Sequence, residues 1–201
     1  MGDLWGDASL RVWVFHGNRT SGADCCIHVP GAGNNRRMTR LDAHHQRRFD
    51  ALASPYLRDE RVRDMRRFIQ HGNTTTYAHC VRVARESYAL ATRLNLQLDY
   101  DNLVAGALLH DFYRYDWHDR STSKPYHATR HPLYAAENAV ELLEVNPEVR
   151  AIIETHMWPL PPNRIPRSRE AWLVCAVDKA VSLQETLTLS RGRRAMHETH
   201  A

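Results

Sequence analysis

The chain has 201 residues, of which 43% are hydrophobic and 25% are charged. This composition is typical of one globular domain with a single apolar core. No stretch approaches the roughly 18 apolar residues that a membrane helix needs. Asp3, Asp7 and Arg11 interrupt any apolar segment that could act as a signal peptide. We therefore expect a cytoplasmic protein with no membrane partner.

The four cysteines and the net charge of +4 further limit the class of protein that this sequence can encode. Cys25 and Cys26 are adjacent, whereas Cys80 and Cys175 lie in apolar helical patterns. This usage favours reduced structural thiols, and the lack of CxxC pairs excludes a zinc ribbon. Most of the positive charge comes from arginines, many of them between residues 36 and 67. A solvated helix face explains them better than a nucleic-acid interface, because no aromatic motif accompanies them.

The first part of the chain differs from the rest. Residues 1–38 are rich in Gly and Asn and show no sustained period of 3.6 or 2, so we predict an irregular or disordered N-terminal extension. The run RVWVFH at 11–16 is the only candidate strand in it. A helical domain is predicted over residues 39–201, with its first helix over 39–53, ended by the sequence SPY. The second helix is predicted over 57–70, before His71-Gly72.

Five more helices complete an all-α bundle. Asn73-Thr74 should cap the third helix, and one face of that helix carries Tyr77, Val81, Ala84, Tyr88 and Ala91. Asp101 should cap a short, very apolar fourth helix, which a loop over 112–130 follows. The fifth helix should have Pro132 in its first turn, and the sixth should cover 147–158. The proline-rich segment 160–168 then precedes a last long helix over 168–187.

Metal-ligand residue types recur where these helices are otherwise apolar. His79 follows Ala78 and precedes Cys80, His110 follows two leucines, and Asp178 lies among apolar neighbours. Each residue alone is more often a hydrogen-bonded core side chain than a ligand. A buried carboxylate is nevertheless costly without a cation or a metal. Three such side chains on three helices therefore indicate one shared site.

Six residues in this order resemble the HD-domain metal-dependent phosphohydrolase superfamily, over about residues 65–190. The motifs are YAHCVRVA, ALLHDF, TRHPLYAAENA, IIETHMW and VCAVDKAVSL, which contain His79, His110, Asp111, His131, His156 and Asp178. The resemblance implies that His79, His110, Asp111 and Asp178 hold one divalent ion. His131 and His156 would complete a second site, with Asp111 shared between the two. Nitrogen and oxygen ligands favour iron or manganese.

The resemblance also implies an activity. Two ions would lower the pKa of a water molecule and neutralise phosphate oxygens, so the expected reaction is hydrolysis of a phosphoester or phosphoanhydride. The expected substrate is a nucleotide or a similar small phosphorylated metabolite, with Asp111 as a catalytic residue. The GYP signature of the cyclic dinucleotide branch is absent.

One position departs from the family pattern. Many members continue HDxxK, whereas this chain reads HDFYR and has Arg114 in the place of the lysine. A guanidinium group suits two phosphate oxygens but is a poor proton donor, so Arg114 is expected to bind substrate phosphate and assist catalysis electrostatically. Lys124 and Arg130 are secondary substrate-binding candidates. Weaker candidates, each with an equally good structural explanation, are Arg82, Tyr113, Tyr115, Trp117, His118, His127 and Lys179.

Three alternatives stay open. The same ligands would serve a di-iron oxygenase, which needs dioxygen and releases no phosphate. A non-catalytic metal-binding domain that senses a ligand would also keep the ligands. Nucleic-acid binding through the arginine-rich helices is the weakest alternative, and salt-dependent binding would test it. A homodimer is compatible with the sequence.

Overall fold

The computed structural model describes residues 41–71, 73–119, 121 and 123–198, with the backbone alone for residue 71 and for residues 188–198. The predicted extension over 1–38 and its candidate strand lie outside the described residues. Within those ranges there are seven α-helices: α1 (Ala43–Arg58), α2 (Glu60–Arg63), α3 (Thr76–Arg93), α4 (Tyr100–Leu109), α5 (His127–Leu143), α6 (Pro147–Thr155) and α7 (Arg169–Glu198). A 3-10 helix covers Asp64–Arg67, and two short antiparallel strands, β1 (Ile69–His71) and β2 (Thr74–Thr75), follow it. The predicted all-α class is confirmed.

The short helix α4 is the centre of the bundle. It packs against α1, α3, α5, α6 and α7. Every residue from Leu103 to Leu109 is buried, as expected for a helix that is apolar on all sides. Asp99 caps this helix by accepting a hydrogen bond from the Asn102 N–H, so the prediction that Asp101 is the cap was wrong by two residues.

Helices α4 and α6 approach closely at Gly106. A Cβ atom at this position would lie 2.6 Å from Cγ2 of Ile152, which is closer than van der Waals contact allows. The absent side chain therefore lets the two helix axes come together. Because both helices end a few residues further on, their C-terminal ends also meet.

Helix α3 supplies one wall around α4. Its predicted apolar face is confirmed, because Tyr77, Val81, Ala84, Tyr88 and Ala91 are all buried. The Thr75 hydroxyl caps the helix by accepting from the Ala78 N–H, one residue later than the predicted cap.

The predicted helix over 57–70 was wrong. Asp59 starts the new helix α2 instead, because its carboxylate accepts the Arg61 N–H. The chain then tightens into the 3-10 helix and turns into the β1–β2 hairpin, in which Ile69 pairs with Thr75. Helix α1 also continues past the predicted stop, with Pro55 in its last turn.

Two later boundaries differ from the prediction as well. Helix α5 starts at His127, so Pro132 lies inside the helix rather than in its first turn. Helix α7 continues to Glu198, beyond the predicted end at 187. The segment 160–168 contains no helix or strand, as predicted. Among the described helices, none is long and apolar enough to cross a membrane.

Candidate metal centre

The six predicted ligand residues meet in one buried cluster where α3, α4, α5, α6 and α7 come together. At most 6% of the surface of each residue is exposed: His79, His110, Asp111, His131, His156 and Asp178. The cluster contains two sets of three ligand atoms, and the atoms of each set all lie within 4.8 Å of one another. One set comes from His79, His110 and Asp178, and the other from His110, Asp111 and His156.

Helix ends position two of the histidines. His110 and His156 follow the last residues of α4 and α6 as their C-caps. The last carbonyl groups of a helix have no partner within the helix. His110 Nδ1 donates to the Ala107 carbonyl at 2.8 Å, and His156 Nδ1 donates to the Ile153 carbonyl at 2.8 Å. Each imidazole thus caps its own helix and points its Nε2 atom away from it.

His131 is oriented in the same way from α5. Its Nδ1 donates to the His127 carbonyl at 3.0 Å, one turn earlier in the helix. A carbonyl oxygen can only accept, so the Nδ1 atoms of His110, His131 and His156 carry hydrogens. In the neutral rings the three Nε2 atoms then present lone pairs to the cluster.

Asp111 lies between these lone pairs. Its Oδ1 is 3.2 Å from His131 Nε2 and 3.6 Å from His156 Nε2. Its Oδ2 is 3.4 Å from His110 Nε2. The two carboxylate oxygens therefore face different histidines.

Asp178 completes the first of the two sets. Its Oδ1 lies 3.1 Å from His79 Nε2 and 3.6 Å from His110 Nε2. The Ser182 hydroxyl, one turn later on α7, donates to the same oxygen at 3.3 Å. Asp178 thus faces α3 and the end of α4 simultaneously.

Sequence reasoning missed the group that orients His79. The Nδ1 atom of this ring lies 3.0 Å from Glu185 Oε2, and Glu185 Oε1 accepts from Arg82 at 3.3 Å. Glu185 follows Asp178 by seven residues, which is two helical turns, so both carboxylates lie on one face of α7. That spacing was visible in the sequence and could have indicated Glu185. Arg82 belongs to this structural network rather than to a solvated surface.

Buried charge shifts the ionisation of these groups. Burial alone lowers the pKa of His79, but hydrogen bonds with Asp178 and Glu185 outweigh it and raise the pKa to about 10. Burial alone would raise the pKa of Asp111, yet the electrostatic interaction with His110 and His131 holds it well below its usual range. Burial and the neighbouring charge of His110 lower the pKa of His156 to about 3. Burial likewise would raise the pKa of Asp178, but His110 and His79 hold it well below its usual range, so Asp111 and Asp178 are both anionic at neutral pH.

The residues present fit a divalent cation. His110 Nε2 and Asp111 Oδ1 are buried and have no hydrogen-bond partner in the described part of the chain. The Nε2 atoms of His131 and His156 are 3.1 Å apart, and two lone pairs at that distance repel each other unless a cation or a proton lies between them. Imidazole nitrogens and carboxylate oxygens are the ligands that iron, manganese and zinc accept.

A second missed residue lies on β1. Gln70 Nε2 donates to Asp111 Oδ2 at 2.6 Å, and the Gln70 Oε1 accepts from the Tyr113 hydroxyl at 2.6 Å. This contact was not predicted, because Gln70 was assigned to a helix over 57–70 and nothing in a helical pattern indicated that its side chain faces Asp111. Tyr113 was predicted only as one of the weaker candidates with an equally good structural explanation.

The predicted substrate-binding residues contact side chains outside the histidine–aspartate cluster. The Arg114 guanidinium is 3.9 Å from Asp64 and 5.8 Å from the Phe112 ring centre. The Lys124 ammonium lies over the Tyr134 ring at 4.4 Å. These contacts involve none of the six ligand residues, and the substrate-binding roles stay predictions.

Arg130 and Lys179 also make defined contacts. Arg130 lies over the Tyr126 ring at 5.4 Å. The Lys179 ammonium donates to the His156 carbonyl at 2.9 Å, rather than to a ligand carboxylate.

The loop aromatic residues pack around His127. Trp117 stacks on its ring at 5.1 Å with an interplanar angle of 5°, and the Tyr115 hydroxyl lies 2.7 Å from its Nδ1. His127 in turn stacks on His131 at 5.0 Å. His118 contacts Asp116 at 3.4 Å. Tyr115 and Trp117 therefore have a structural role, because they pack on His127, which in turn stacks on the proposed ligand His131.

An all-α bundle with a buried histidine–aspartate centre defines a helical domain suited to divalent metal ions. The family model described as HD domain matches residues 76–181, slightly more than half of the chain. All six clustered residues lie within the matched segment. The chain belongs to the HD-domain family, whose members are mostly metal-dependent hydrolases. Comparisons with curated proteins and with solved structures found no match.

Proposed function

We propose that this chain is a metal-dependent phosphohydrolase. It cleaves a phosphoester or phosphoanhydride of a nucleotide or a similar small phosphorylated metabolite, using metal-activated water. The observation that carries the proposal is the position of Asp111, whose two oxygens face His110 on one side and His131 and His156 on the other. This is the donor arrangement that two neighbouring cations require.

The proposed ligands divide into two sets around that carboxylate. His79, His110, Asp111 and Asp178 would hold one ion, and His131 and His156 would complete the site of a second, with iron or manganese favoured. When bound, such ions lower the pKa of water and neutralise charge that develops on phosphate oxygens.

The protein's own contribution is preorganisation. Three Nδ1–H groups are committed to backbone carbonyls, so the corresponding Nε2 lone pairs face the centre without any rearrangement. Glu185 holds the ring of His79 from behind. Because Asp111 and Asp178 are buried and anionic, they supply negative charge where the surroundings screen it least. Ligands fixed in this way lose little conformational freedom when cations bind.

Arg114 is the proposed phosphate ligand, with Lys124 and Arg130 as secondary candidates. Its contact with Asp64 is long, and both side chains are about one-third exposed, so this pair contributes little. The guanidinium group can therefore leave Asp64 for a phosphate at small cost. A planar fork binds two phosphate oxygens, which agrees with the small phosphorylated substrate proposed here.

The test compares wild type with Asp111→Ala after loading with Mn²⁺ or Fe²⁺, first under anaerobic conditions and then in the presence of dioxygen. We expect wild type to release inorganic phosphate or a nucleoside monophosphate from members of a nucleotide and phosphoester panel. Asp111→Ala should lose at least about 100-fold of that rate, because the shared ligand is gone. Asp101→Ala, at an exposed position of α4, is the matched control and should keep the wild-type rate.

Two results would contradict the proposal. Turnover that needs dioxygen and releases no phosphate would assign the centre to an oxygenase. A metal-loaded wild type that is inactive across the whole panel would favour a ligand-sensing role instead.

A further inference from the structure

Gln70 reaches the centre from the β1–β2 hairpin, an element that contains none of the six proposed ligands. We propose that Gln70 is a positioning residue that sets the rotation of the Asp111 carboxylate, and thereby determines which oxygen faces which set of histidines. The inference rests on the proposed function in one respect, because it treats Asp111 as the shared metal ligand. The direct contact is the 2.6 Å hydrogen bond from Gln70 Nε2 to Asp111 Oδ2.

The orientation of the Gln70 amide is determined by its neighbours. Its Oε1 accepts from the Tyr113 hydroxyl at 2.6 Å and from the Thr76 hydroxyl at 3.2 Å. If the amide were flipped, Oε1 would face a carboxylate oxygen at 2.6 Å, and two acceptors at that distance repel. The amide NH₂ group must therefore point at Asp111.

The contact matters because the two oxygens of Asp111 have different surroundings. Oδ2 faces His110, whereas Oδ1 faces His131 and His156. The torsion at the end of an aspartate side chain is broad and permits rotation. A donor that engages Oδ2 alone removes that freedom and leaves the second lone pair of this oxygen available towards His110.

The hairpin explains how a surface segment brings Gln70 to a buried site. Ile69 pairs with Thr75 and His71 pairs with Thr74, so the register of the hairpin shifts at Gln70, and such irregularities re-aim a side chain. Ile69 is 37% exposed, whereas Gln70 turns inward to Asp111. Thr76 begins α3, one turn before His79. The same hairpin–helix unit therefore holds both the Gln70 amide and a proposed ligand.

Tyr113 links this unit to the His110–Asp111 segment. Only 1% of its surface is exposed, and it lies two residues after Asp111. Its hydroxyl is also 3.2 Å from the Thr76 hydroxyl. Gln70, Thr76 and Tyr113 thus form a closed hydrogen-bonded group that reaches the centre through the bond to Asp111 and through the Tyr113 ring, which packs 5.9 Å from the His131 ring.

The experiment measures Mn²⁺ binding to metal-free protein, by calorimetric titration and by electron paramagnetic resonance, for wild type, Gln70→Met and Tyr113→Phe. Methionine keeps the length of the side chain but cannot donate to Asp111. We expect Gln70→Met to weaken Mn²⁺ binding by 10- to 100-fold, the range found when partners of metal ligands are removed. The signal of coupled Mn²⁺ pairs should fall at equal loading, because the two Asp111 oxygens would no longer be held towards different histidines.

Tyr113→Phe keeps the Gln70–Asp111 bond and removes one of the two groups that orient the amide. A smaller loss of Mn²⁺ affinity, between two- and tenfold, is expected. Gln97→Met, at an exposed position between α3 and α4, is the control and should bind as wild type does. Circular dichroism of each metal-free variant checks that the helices are retained.

The outcomes separate this inference from the proposed function. Unchanged Mn²⁺ affinity and an unchanged coupled signal in folded Gln70→Met would overturn the positioning role, whatever the activity. Weakened binding in this variant, together with a wild type that hydrolyses nothing in the panel, would support the positioning role and overturn the hydrolase. Wild-type protein that takes up neither Mn²⁺ nor Fe²⁺ would overturn both.

Discussion

The Nε2 atoms of His131 and His156 lie 3.1 Å apart while the Nδ1–H of each ring is committed to a backbone carbonyl of its own helix. Two neutral imidazoles in this arrangement cannot form a hydrogen bond with each other, since neither Nε2 carries a hydrogen. The pair is stable only with a positive charge between or beside the rings. The nearby Asp111 Oδ1, 3.2 Å from His131 Nε2, adds the anion that a cation requires.

Divalent ions are therefore expected to stabilise the fold. Mn²⁺ at about 100 times its dissociation constant should add about 2.7 kcal/mol to the free energy of unfolding, provided that the unfolded chain does not bind it. Thermal unfolding with Mn²⁺ and with a chelator measures the difference. Asp111→Ala should show little of this shift, and an equal Mn²⁺ effect in that variant would place the stabilising ion elsewhere.

Glu185 should control metal affinity through His79. Replacement by alanine removes the acceptor that lies 3.0 Å from His79 Nδ1 and leaves Arg82 without this partner. We expect Glu185→Ala to weaken Mn²⁺ binding by about 10- to 100-fold, and Glu185→Gln by less, because the amide oxygen still accepts. Calorimetric titration checks both variants against Glu141→Gln, at an exposed position of α5. If Glu185→Ala binds Mn²⁺ with wild-type affinity, Glu185 has no role in metal binding.

Gly106→Ala should destabilise the bundle. The new methyl group would lie 2.6 Å from Ile152 Cγ2, and overpacking of this kind costs about 1–3 kcal/mol, which outweighs the roughly 1 kcal/mol that alanine gains in helix propensity. Urea denaturation measures the change. In an Ile152→Ala background the penalty should disappear, and additive effects of the two substitutions would show that the contact does not carry the loss.

Stability of the metal-free protein should fall as the pH rises above neutrality. Burial lowers the pKa of His79, but the hydrogen bonds with Asp178 and Glu185 prevail and raise it to about 10. A group with a raised pKa contributes stability fully below its unfolded value of about 6.5 and loses it as pH rises through the folded value. Unfolding temperatures in chelator should therefore decrease between pH 7 and pH 10.

Metal binding should show the opposite dependence, because an ion displaces the proton from His79. Mn²⁺ affinity should increase over the same pH range. A His79→Gln variant is the control for the metal-free series, and its unfolding temperature should depend less on pH. The same pH dependence in both proteins would assign the effect to another group.

Arg114 should contribute to substrate binding and not to metal binding. Arg114→Ala is expected to lower kcat/KM by about 10- to 100-fold, as the loss of a charge-assisted phosphate contact does. Arg114→Lys should retain more activity, because it restores a charge at the position where many family members have lysine. Mn²⁺ affinity should stay at the wild-type value in both variants. If Arg114→Ala keeps full kcat/KM, the phosphate is bound elsewhere.

Much of the bundle follows from local sequence. The apolar period of α3 and the all-round apolarity of α4 predict a buried helix packed against a central one, and the structure has both. The His110–Asp111 pair also stands out locally, since polar groups end a fully apolar run. Boundaries were less predictable: the helix predicted over 57–70 breaks because the Asp59 cap and the pairing of Ile69 with Thr75 outweigh helical periodicity.

The sequence by itself determined which side chains are available for a metal centre and that they enter an apolar core, because a histidine or aspartate in an apolar helical face is visible without coordinates. Only the tertiary structure decided how they are held. The close approach of α4 and α6 at Gly106 brings His110 and His156 together. The hairpin turns Gln70 onto Asp111, and two turns of α7 bring Glu185 behind His79. The Gln70–Asp111 bond joins residues that are 41 positions apart in the chain, and the His79–Glu185 bond joins residues that are 106 positions apart. Such bonds depend on tertiary packing, which the local sequence pattern does not encode.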